Sequence, residues 1–356
     1  MSSAAVPPRS ILVVRLGAMG DVIHTIPAVS ALRNSFPDTC IGWVIEQRWA
    51  ELLCAKDAPR SGRRSSARPL VDFVHAVDTK TWRKSLLSSE TRHQIAAARH
   101  EVREQSYEIA IDFQGALKSA VIARLVRANT VFGMKRPREW PSQMFYTKPV
   151  AINGTHVIEQ YQSLVGAVAA TPLANCAALF PHDDREEPTV GTLISPNQQF
   201  VLMNPGAGWP AKQWPAERYG EVAKALSRDG LTPLINFGPG EEKLAAIVEE
   251  TSHGTARKVS CPIGELIALT RRARLFIGGD TGPMHLASAL QIPVLAIFGP
   301  TDPARNGPYG TKNIVLRNAA SKTSLSHTSE PDTGLLKITP DEVIAAARRL
   351  LEDSTA

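Results

Sequence analysis

This chain contains few cysteines, no long hydrophobic run and no large excess of one charge. The cysteines are too scattered for a zinc or redox motif and predict reduced thiols in a cytoplasm; they are Cys40, Cys54, Cys176 and Cys261. No apolar stretch approaches the length of a membrane span, and the first ten residues lack the hydrophobic core of a signal peptide. The net charge of +6 allows an acidic substrate or an anionic membrane surface and does not require nucleic acid.

What the sequence does contain is a regular alternation of short apolar runs and amphipathic segments, which predicts parallel sheets with crossover helices. Since 356 residues exceed one typical domain, we expect an α/β protein with two Rossmann-like α/β/α domains. The domains are predicted at 1–170 and 200–356, with a proline-dotted linker at 171–199. Two such domains place a cleft between the carboxyl ends of their sheets, where ligands bind in this architecture. The final helix, 340–352, is a candidate for packing back on the first domain.

The predicted elements follow this alternation. Strands are expected at Ile11–Arg15, Ile41–Glu46, Phe73–Val77, Ile109–Asp112, Thr130–Gly133, Phe200–Asn204, Pro233–Phe237, Lys258–Ser260, Leu275–Gly278 and Val294–Phe298. Helices are expected at Val22–Phe36, Glu90–Gln105, Ala116–Arg127, Ala216–Arg228, Glu241–Thr251, Ile263–Arg272, Pro283–Leu290 and Pro340–Glu352. The stretch Asp57–Pro69 is rich in arginine, serine, proline and alanine, and we expect a disordered or mobile loop there.

The segment Gly278–Leu290 combines a glycine turn with the start of a helix. The helix is expected to begin at Thr281 or Gly282, and a helix start reached through glycines offers free N–H groups and a partial positive charge to a phosphate. His285 lies one turn after Thr281, so both side chains can face one ligand. A capped helix without a ligand has the same pattern, and this alternative stays open on the residues alone.

Two more strand-end loops in the second half suit parts of a nucleotide. The loop Asn204–Pro215 carries glycines that let its backbone approach a ligand, and Lys212 can supply a point charge to phosphate oxygens. The loop Phe237–Glu242 ends in two carboxylates that can accept hydrogen bonds from ribose or sugar hydroxyls, or simply start the next helix. Together with the Gly278–Leu290 segment, these loops predict a pocket for a nucleotide diphosphate.

In the first half, Asp21 follows a glycine turn after the first predicted strand, at the sheet edge where ligands bind. A carboxylate at this edge can act as a general base that takes a proton from a substrate. An aspartate at this position also caps helices, and the next helix is predicted to start at Val22. The residues alone do not decide between the two roles.

Taken together, these motifs resemble those of the lipopolysaccharide heptosyltransferases, which transfer heptose from ADP-heptose and have the two-domain GT-B fold. The resemblance runs from Ile11 to about Pro308. The motifs that carry it are Gly20-Asp21 with His24-Thr25, Lys212-Gln-Trp214-Pro215, and Asp280-Thr281-Gly282 with His285.

The resemblance implies that the second half holds ADP-heptose. Lys212 and the amides of Thr281 and Gly282 would meet the diphosphate, and either Glu241 or Glu242 would meet the ribose. The donor-binding residues implied in this way are Gly206, Ala207, Gly208, Lys212, Glu241, Glu242, Cys261, Asp280, Thr281, Gly282 and His285.

The resemblance also implies that the first half holds the acceptor, with Asp21 as catalytic base and Lys212 as the second catalytic group. Basic runs in this half are ordinary solvated surfaces on composition alone. They resemble, however, those of the members that add the first heptose to Kdo on lipid A, whose carboxylates and phosphates suit arginine. The implied acceptor-binding residues are Lys80, Arg83, Lys84, Gln114, Lys118 and Arg138.

For the whole protein, the resemblance implies a monomer that needs no metal or other cofactor and binds no nucleic acid. It would work in the cytoplasm, in peripheral contact with the inner-membrane surface. Some segments depart from the pattern. Pro205–Gly208 is closer to the members that add the second heptose, Asp57–Pro69 resembles an insertion, and the tail Ala319–Leu335 matches no known part. The acceptor sugar, Kdo or heptose, therefore stays open.

Two alternatives belong to other functional classes. A dinucleotide-binding oxidoreductase would use the turn Gly17–Gly20 and a ribose-binding acid at Glu46, although the full Gly-x-Gly-x-x-Gly motif is missing. A protein that binds a sugar nucleotide without transferring the sugar would keep the donor loops, but it has no need of Asp21.

Overall fold

The structure is a computed structural model that describes residues 7–85, 87–183, 186–195, 197–324 and 330–353. It divides into two compact units, Met1–Asp183 and Asp184–Ala356. Parts of the predicted linker and of the tail (residues 184, 185, 196 and 325–329) lie outside the described residues, as do residues 1–6 of the start.

The first unit is built on a six-stranded parallel sheet with the strand order β3-β2-β1-β4-β5-β6. The strands are β1 (Ser10–Val14), β2 (Cys40–Glu46), β3 (Phe73–Val77), β4 (Ile109–Asp112), β5 (Thr130–Met134) and β6 (Lys148–Val150). The helices are α1 (Met19–Ser35), α2 (Thr79–Lys84), α3 (Ser89–Glu104), α4 (Leu117–Leu125) and α5 (Val157–Ala169). Two 3-10 segments, Gln47–Leu52 and Trp140–Phe145, follow β2 and β5.

The second unit repeats this plan with the order β12-β11-β10-β7-β8-β9, again with all pairs parallel. The strands are β7 (Phe200–Asn204), β8 (Thr232–Asn236), β9 (Arg257–Val259), β10 (Leu275–Gly279), β11 (Val294–Phe298) and β12 (Asn313–Arg317). The helices are α6 (Glu186–Leu193), α7 (Ala216–Arg228), α8 (Glu242–Thr251), α9 (Ile263–Arg272), α10 (Gly282–Ala289), α11 (Pro303–Asn306) and α12 (Pro340–Glu352). The 3-10 segments are Pro210–Lys212 and Leu335–Lys337.

The central strands are continuous apolar runs because helices cover both faces of each sheet. Every residue of β1, β7, β10 and β11 is buried. The edge strands β6 and β12 were not predicted, since both are more exposed and β6 has only three residues, one of them proline.

In each sheet the strand order reverses once, and this reversal decides where a ligand site can form. It falls between β1 and β4 in the first unit and between β7 and β10 in the second. Adjacent parallel strands whose connections lead away in opposite directions leave a crevice at their carboxyl ends. The loops and helix starts that follow these four strands contain Asp21, Gln114, Lys212 and Asp280.

The prediction of a disordered loop at Asp57–Pro69 is wrong, because Arg68 organises the segment. Only 2% of Arg68 is exposed, and its guanidinium donates hydrogen bonds to the carbonyls of Pro59, Gly62 and Val71 at 2.8–3.0 Å. The Ala55 amide closes the loop by donating to the Ala67 carbonyl at 2.8 Å. The polar composition indicated a solvated loop. Instead, one buried arginine donates hydrogen bonds to the backbone carbonyl groups that the loop's own backbone does not bind.

The described residues of the predicted linker 171–199 include one helix and make contacts within each unit. Its first part packs within the first unit, where the Leu179 amide donates to Ser30 Oγ at 3.3 Å. Its second part contains α6, which packs against α9. The final helix α12 packs against α7 and the strands β10, β11 and β12 of its own unit. None of the helices in the described ranges combines the length and apolar character needed to cross a membrane.

Candidate functional site

Lys212, Asp280 and His285 form one buried polar cluster at the carboxyl ends of β7 and β10. Lys212 Nζ lies 2.5 Å from Asp280 Oδ2, and His285 Nε2 lies 3.1 Å from Asp280 Oδ1. The Lys212 and Asp280 side chains are 12% and 7% exposed. Burial alone would raise the pKa of Asp280, but the His285 hydrogen bond and the charges of His285 and Lys212 outweigh it and lower that pKa well below its usual range. The cluster therefore holds one fixed carboxylate beside a lysine ammonium.

Glycines and asparagines bring the two strand ends together. A Cβ on Gly279 would lie 3.3 Å from the Lys212 carbonyl oxygen, so a side chain there would crowd the lysine loop. Asn204 Nδ2 donates to the Gly206 carbonyl at 3.0 Å, and Asn236 Nδ2 donates to Asn204 Oδ1 at 2.7 Å. This buried network fixes the loop that leads from β7 to Lys212.

Helix α10 begins directly beside the cluster. Thr281 is its N-cap and Gly282 its first residue, as expected from the sequence, and Pro283 in the first turn has no N–H to satisfy. Thr281 and Gly282 are half-buried, whereas His285 one turn later is buried. The start of α10 presents backbone N–H groups and a partial positive charge next to Lys212, an arrangement that suits an anion.

The structure separates the two glutamates that the sequence left equivalent. The Glu241 carboxylate lies against Gly206, where a Cβ would come within 2.0 Å of Glu241 Oε1, and it accepts a hydrogen bond from the Gly238 amide at 2.9 Å. Desolvation raises the pKa of Glu241. Glu242 is exposed, and hydrogen bonds from backbone amides, including that of Gly240, lower its pKa. The Glu241 carboxylate therefore contacts the loop after β7, whereas Glu242 lies at the solvated start of α8.

The remaining predicted donor residues surround these groups less closely. Ala207 is half-buried, and Gly208 is exposed with open space where a Cβ would lie. Cys261, which lies between β9 and α9, is half-buried, and burial together with the charge of Glu265 raises the pKa of its thiol to about 12. The Cys261 side chain is therefore a neutral thiol at physiological pH.

The tail after β12, which matched no known motif, is hydrogen-bonded to the segment that carries Lys212. The Asp332 amide donates to the Ala211 carbonyl at 3.2 Å, one residue before Lys212. Trp214 Nε1 and Arg218 both donate to the Ile338 carbonyl, at 3.0 and 2.7 Å. Leu335 in the same stretch is fully buried. The described part of the tail thus fastens the segment that carries Lys212.

In the first unit, Asp21 is the third residue of α1, which begins at Met19 rather than at Val22. Asp21 Oδ2 accepts a hydrogen bond from the Ala18 amide at 3.1 Å, and Asp21 Oδ1 lies 2.8 Å from Arg15 Nη2. The Arg15 side chain is 6% exposed and that of Asp21 41% exposed. The carboxylate therefore caps the helix start and pairs with a buried guanidinium, while part of it stays open to solvent.

Arg15 was not predicted as a site residue, although an arginine at the end of a buried strand is itself a signal. Its Nη1 donates to the Phe113 carbonyl at 2.7 Å, and its guanidinium lies 5.6 Å from the centre of the Tyr161 ring. Phe113 directly follows β4, so Arg15 connects the ends of β1 and β4 and also pairs with Asp21.

Gln114 and Asp112 shape the β4 side of the same edge. Gln114 Oε1 accepts a hydrogen bond from the Leu16 amide at 3.0 Å. The fully buried Asp112 carboxylate accepts hydrogen bonds from the Gln114 amide, Ser119 Oγ and the Tyr146 hydroxyl, at 2.8–3.0 Å. Asp112 is therefore a structural carboxylate that fixes the loop carrying Gln114.

The predicted acceptor residues form two groups beside this loop. Lys118 Nζ lies 2.8 Å from Thr79 Oγ1 and 3.6 Å from Glu46 Oε1, and Thr79 also donates to Glu46. Lys118 is thereby held next to α2, which exposes three further basic side chains; these are Lys80, Arg83 and Lys84. The carboxylate that the oxidoreductase alternative needs for a ribose, Glu46, is already engaged by these partners.

Arg138, the second group by itself, is exposed, and its backbone lies next to Gly115. Gly115 has φ +66, in the left-handed region, and a Cβ there would lie 3.0 Å from the Arg138 amide nitrogen. Only glycine allows this approach without strain. The turn therefore brings the Arg138 backbone next to the Gln114 loop.

Within the described residues, no group of three or more histidine, cysteine, aspartate or glutamate side chains is placed to hold a metal ion. In the second unit, Lys212 and the start of α10 are the groups placed to suit an anion. In the first unit, the Asp21 carboxylate is partly open to solvent.

Comparison with known proteins agrees with this arrangement. The sequence profile of glycosyltransferase family 9 (heptosyltransferase) matches residues 95–333. The chain is 28% identical to lipopolysaccharide heptosyltransferase 1 of Pseudomonas aeruginosa, over 95% of this chain and 94% of that protein. It is 25% identical to lipopolysaccharide heptosyltransferase 3 of Escherichia coli K12, over 94% and 96% of the two chains. The solved structure of E. coli heptosyltransferase WaaC with ADP superposes with a TM-score of 0.77 at 24% identity, covering 97% and 99%. The fold is therefore GT-B, as the sequence predicts.

Proposed function

The chain belongs to glycosyltransferase family 9, the heptosyltransferases, and we propose that it transfers L-glycero-D-manno-heptose from ADP-heptose to Kdo of lipid A, with inversion. The observation that supports this most strongly is the Lys212–Asp280–His285 cluster at the start of α10. A fixed ammonium beside free helix amides suits a diphosphate leaving group, which gains negative charge as the sugar departs.

For the donor, we assign Lys212 and the amides of Thr281 and Gly282 to the diphosphate. Asp280 keeps the ammonium in place and, with His285, lines the pocket. Of the two glutamates, we assign Glu241 to the ribose, because its carboxylate lies against Gly206 in the same loop system as Lys212. Ala207, Gly208 and the neutral Cys261 thiol complete the wall of the pocket.

For the reaction, we assign Asp21 as general base. Its carboxylate takes the proton from the acceptor hydroxyl as that oxygen attacks the anomeric carbon of heptose. The bond between this carbon and the diphosphate oxygen breaks, and ADP leaves with the bonding electrons. Arg15 orients the Asp21 carboxylate through the 2.8 Å contact. Lys212 stabilises the charge on ADP.

For the acceptor, the exposed basic side chains of α2, together with Gln114, Lys118 and Arg138, fit the carboxylates and phosphates of Kdo-lipid A. The similar proteins include heptosyltransferases 1 and 3, so an acceptor that already carries heptose is the second candidate. We further propose that the protein acts as a monomer, peripherally bound at the cytoplasmic face of the inner membrane.

The direct test is an ADP-release assay with ADP-heptose and three acceptors: Kdo-lipid A, heptosyl-Kdo-lipid A and the phosphorylated diheptosyl form. The proposal predicts rapid release only with Kdo-lipid A and a product heavier by one heptose in mass spectrometry. Turnover only with a heptosylated acceptor would reassign the acceptor and keep the chemistry. Failure with all three would contradict the proposed function.

A further inference from the structure

The first unit carries an exposed apolar surface that the transfer reaction does not use. It centres on the 3-10 segment Trp140–Phe145, in which Trp140 is 74% and Met144 77% exposed. Large apolar side chains are rarely so open to water on a monomer, and clusters of them mark interaction surfaces. We call this the Trp140 surface; it comprises the segment Trp140–Phe145 and the exposed face of α4.

The Trp140 surface is rigid because hydrogen bonds fix its two parts to each other. Glu139 Oε2 accepts a hydrogen bond from the Leu117 amide at 2.8 Å, and the Glu139 amide donates to the Gly115 carbonyl at 2.9 Å. Helix α4 then contributes Leu117 and Leu125, each 42% exposed. Eight residues apart on a helix, these two side chains lie about 80° apart around its axis, within one half of the helix surface. The apolar groups therefore need no folding step before they bind.

The charge around this surface is strongly one-sided. Residues 117–148 contain seven basic residues and a single acidic one, so this segment alone carries +6, as much as the entire chain. The acidic residue is Glu139, whose carboxylate is engaged by the Leu117 amide. The basic side chains are all exposed: Lys118, Arg124, Arg127, Lys135, Arg136, Arg138 and Lys148.

We propose that the Trp140 surface is the site at which the protein docks on an anionic lipid bilayer. An exposed tryptophan and other apolar side chains enter the headgroup boundary, while surrounding lysines and arginines meet the lipid phosphates. Charge complementarity selects a negatively charged partner, and the apolar side chains select one with a hydrophobic interior. Nucleic acid satisfies the first requirement but gives Met144 and the leucines of α4 nothing to bury.

This inference rests on the proposed function in one respect, namely that the acceptor is lipid-anchored. Lys118 and Arg138, two of the residues assigned to the acceptor, belong to the same basic segment. Docking through the Trp140 surface therefore presents the acceptor-binding residues to a sugar headgroup that projects from the bilayer. Vesicle binding itself can be measured without any acceptor or donor.

The test is co-sedimentation of the full chain with vesicles of phosphatidylcholine, with and without one quarter phosphatidylglycerol. The wild type should bind the anionic vesicles and leave the neutral ones largely free. The double variant Trp140→Ser/Met144→Ser should bind about tenfold more weakly, because its buried apolar area is lost. Arg124→Gln/Arg136→Gln should lose about fivefold or more, with a loss that shrinks as salt rises. Leu336→Ser, which removes a 39% exposed leucine in the second unit, is the matched control and should bind like the wild type.

Unchanged binding by Trp140→Ser/Met144→Ser, with wild-type thermal stability, would overturn the proposal. A second contradicting result would come from sedimentation velocity. If the wild type forms a concentration-dependent dimer and this variant does not, the surface pairs with a second copy of the chain and the proposal is overturned. Tight binding of a DNA duplex that the apolar substitutions leave unchanged, without vesicle binding, would also contradict it. The double variant should still transfer heptose to a detergent-dispersed acceptor. If the wild type binds vesicles as predicted but shows no transfer, the proposed function is refuted and the docking proposal is not affected.

Discussion

Lys212 and Asp280 lie 68 positions apart in the sequence, yet their side chains meet at 2.5 Å at the ends of two adjacent strands. The strand-order reversal between β7 and β10 makes this possible, because it places the two loops side by side. The lysine is therefore held in position before any donor arrives, so less of the binding energy is lost in ordering it.

Lys212→Ala should weaken ADP-heptose binding and slow transfer together. A charge-assisted contact is worth about 1.5–3 kcal/mol, or about tenfold to a hundredfold, and the leaving diphosphate gains charge in the transition state. Calorimetry with ADP-heptose and steady-state kinetics check this. Lys258→Ala is the matched control, since it removes a lysine from the exposed pair with Glu249 in the same unit. Wild-type affinity and rate in a folded Lys212→Ala protein would remove Lys212 from the site.

Asp280 should make stability fall at acid pH. Its folded-state pKa is depressed, so its contribution to the unfolding free energy is complete above the ordinary carboxylate range, about pH 4, and is lost as the pH falls below it. Urea unfolding of the wild type and of Asp280→Asn, from about pH 7 to about pH 3, measures this. The stability difference between the two proteins should shrink at low pH, and a constant difference would contradict the assignment.

Glu241→Gln should weaken ADP binding, by about tenfold if the carboxylate accepts hydrogen bonds from the ribose. Glu242→Gln is the matched control one residue later and should bind ADP like the wild type, because Glu242 is solvated. Equal losses in both variants, or none in Glu241→Gln, would be incompatible with the ribose assignment.

Gly206→Ala should reproduce the Glu241→Gln defect, since the new Cβ would displace the Glu241 carboxylate. The added methyl group also lies in the loop itself, so Gly208→Ala, whose Cβ meets open space, controls for stability. Combining Gly206→Ala with Glu241→Gln gives the sharper result. If both act through the same carboxylate, the double variant should bind ADP little worse than either single one.

Arg83→Ala and Arg138→Ala should raise the KM for the acceptor and leave ADP binding nearly unchanged. Both arginines are exposed, so the loss should shrink as salt rises. Arg92→Ala, another exposed arginine of the first unit, is the control and should leave the acceptor KM unaltered. A loss of donor affinity without any change in the acceptor KM would contradict the division between the two units.

The sequence alone predicts those elements of the fold whose pattern lies within a short stretch of consecutive residues. Buried strands such as Phe200–Asn204 and Val294–Phe298 are continuous apolar runs, and their observed bounds equal the predicted ones. Helix α5 has six buried apolar or aromatic residues at helical spacing and a Glu159 side chain that caps its start, so this missed element was predictable.

Other features depend on contacts between distant residues. Arg15 and Phe113 are 98 positions apart, Asn204 and Asn236 are 32 apart, and no local pattern marks either pair. The choice between Glu241 and Glu242 likewise depends on which carboxylate meets Gly206 in space. The residues of the candidate site could therefore be predicted from the sequence. The residues that orient them through hydrogen bonds and ion pairs could not.

The sequence leaves two roles open for Asp21, namely helix cap and catalytic base, and the second stays a proposal. Asp21 caps α1 through the Ala18 amide and pairs with the buried Arg15. Asp21→Asn therefore removes the base and also leaves the Arg15 charge unpaired. We expect a stability loss of about 1 kcal/mol, kept small because Asn still caps and the Asp21 side chain is partly solvated. Kinetics must be measured well below the melting temperature of the variant.

The most direct test of the account is the kcat of heptose transfer by Asp21→Asn at saturating Kdo-lipid A, with ADP-heptose affinity measured on the same sample. General base catalysis contributes about 10²–10⁴-fold, so we predict a fall of that order with donor affinity nearly unchanged. A kcat close to that of the wild type would show that Asp21 only caps and pairs, and His24 on the same helix would become the next candidate for the base.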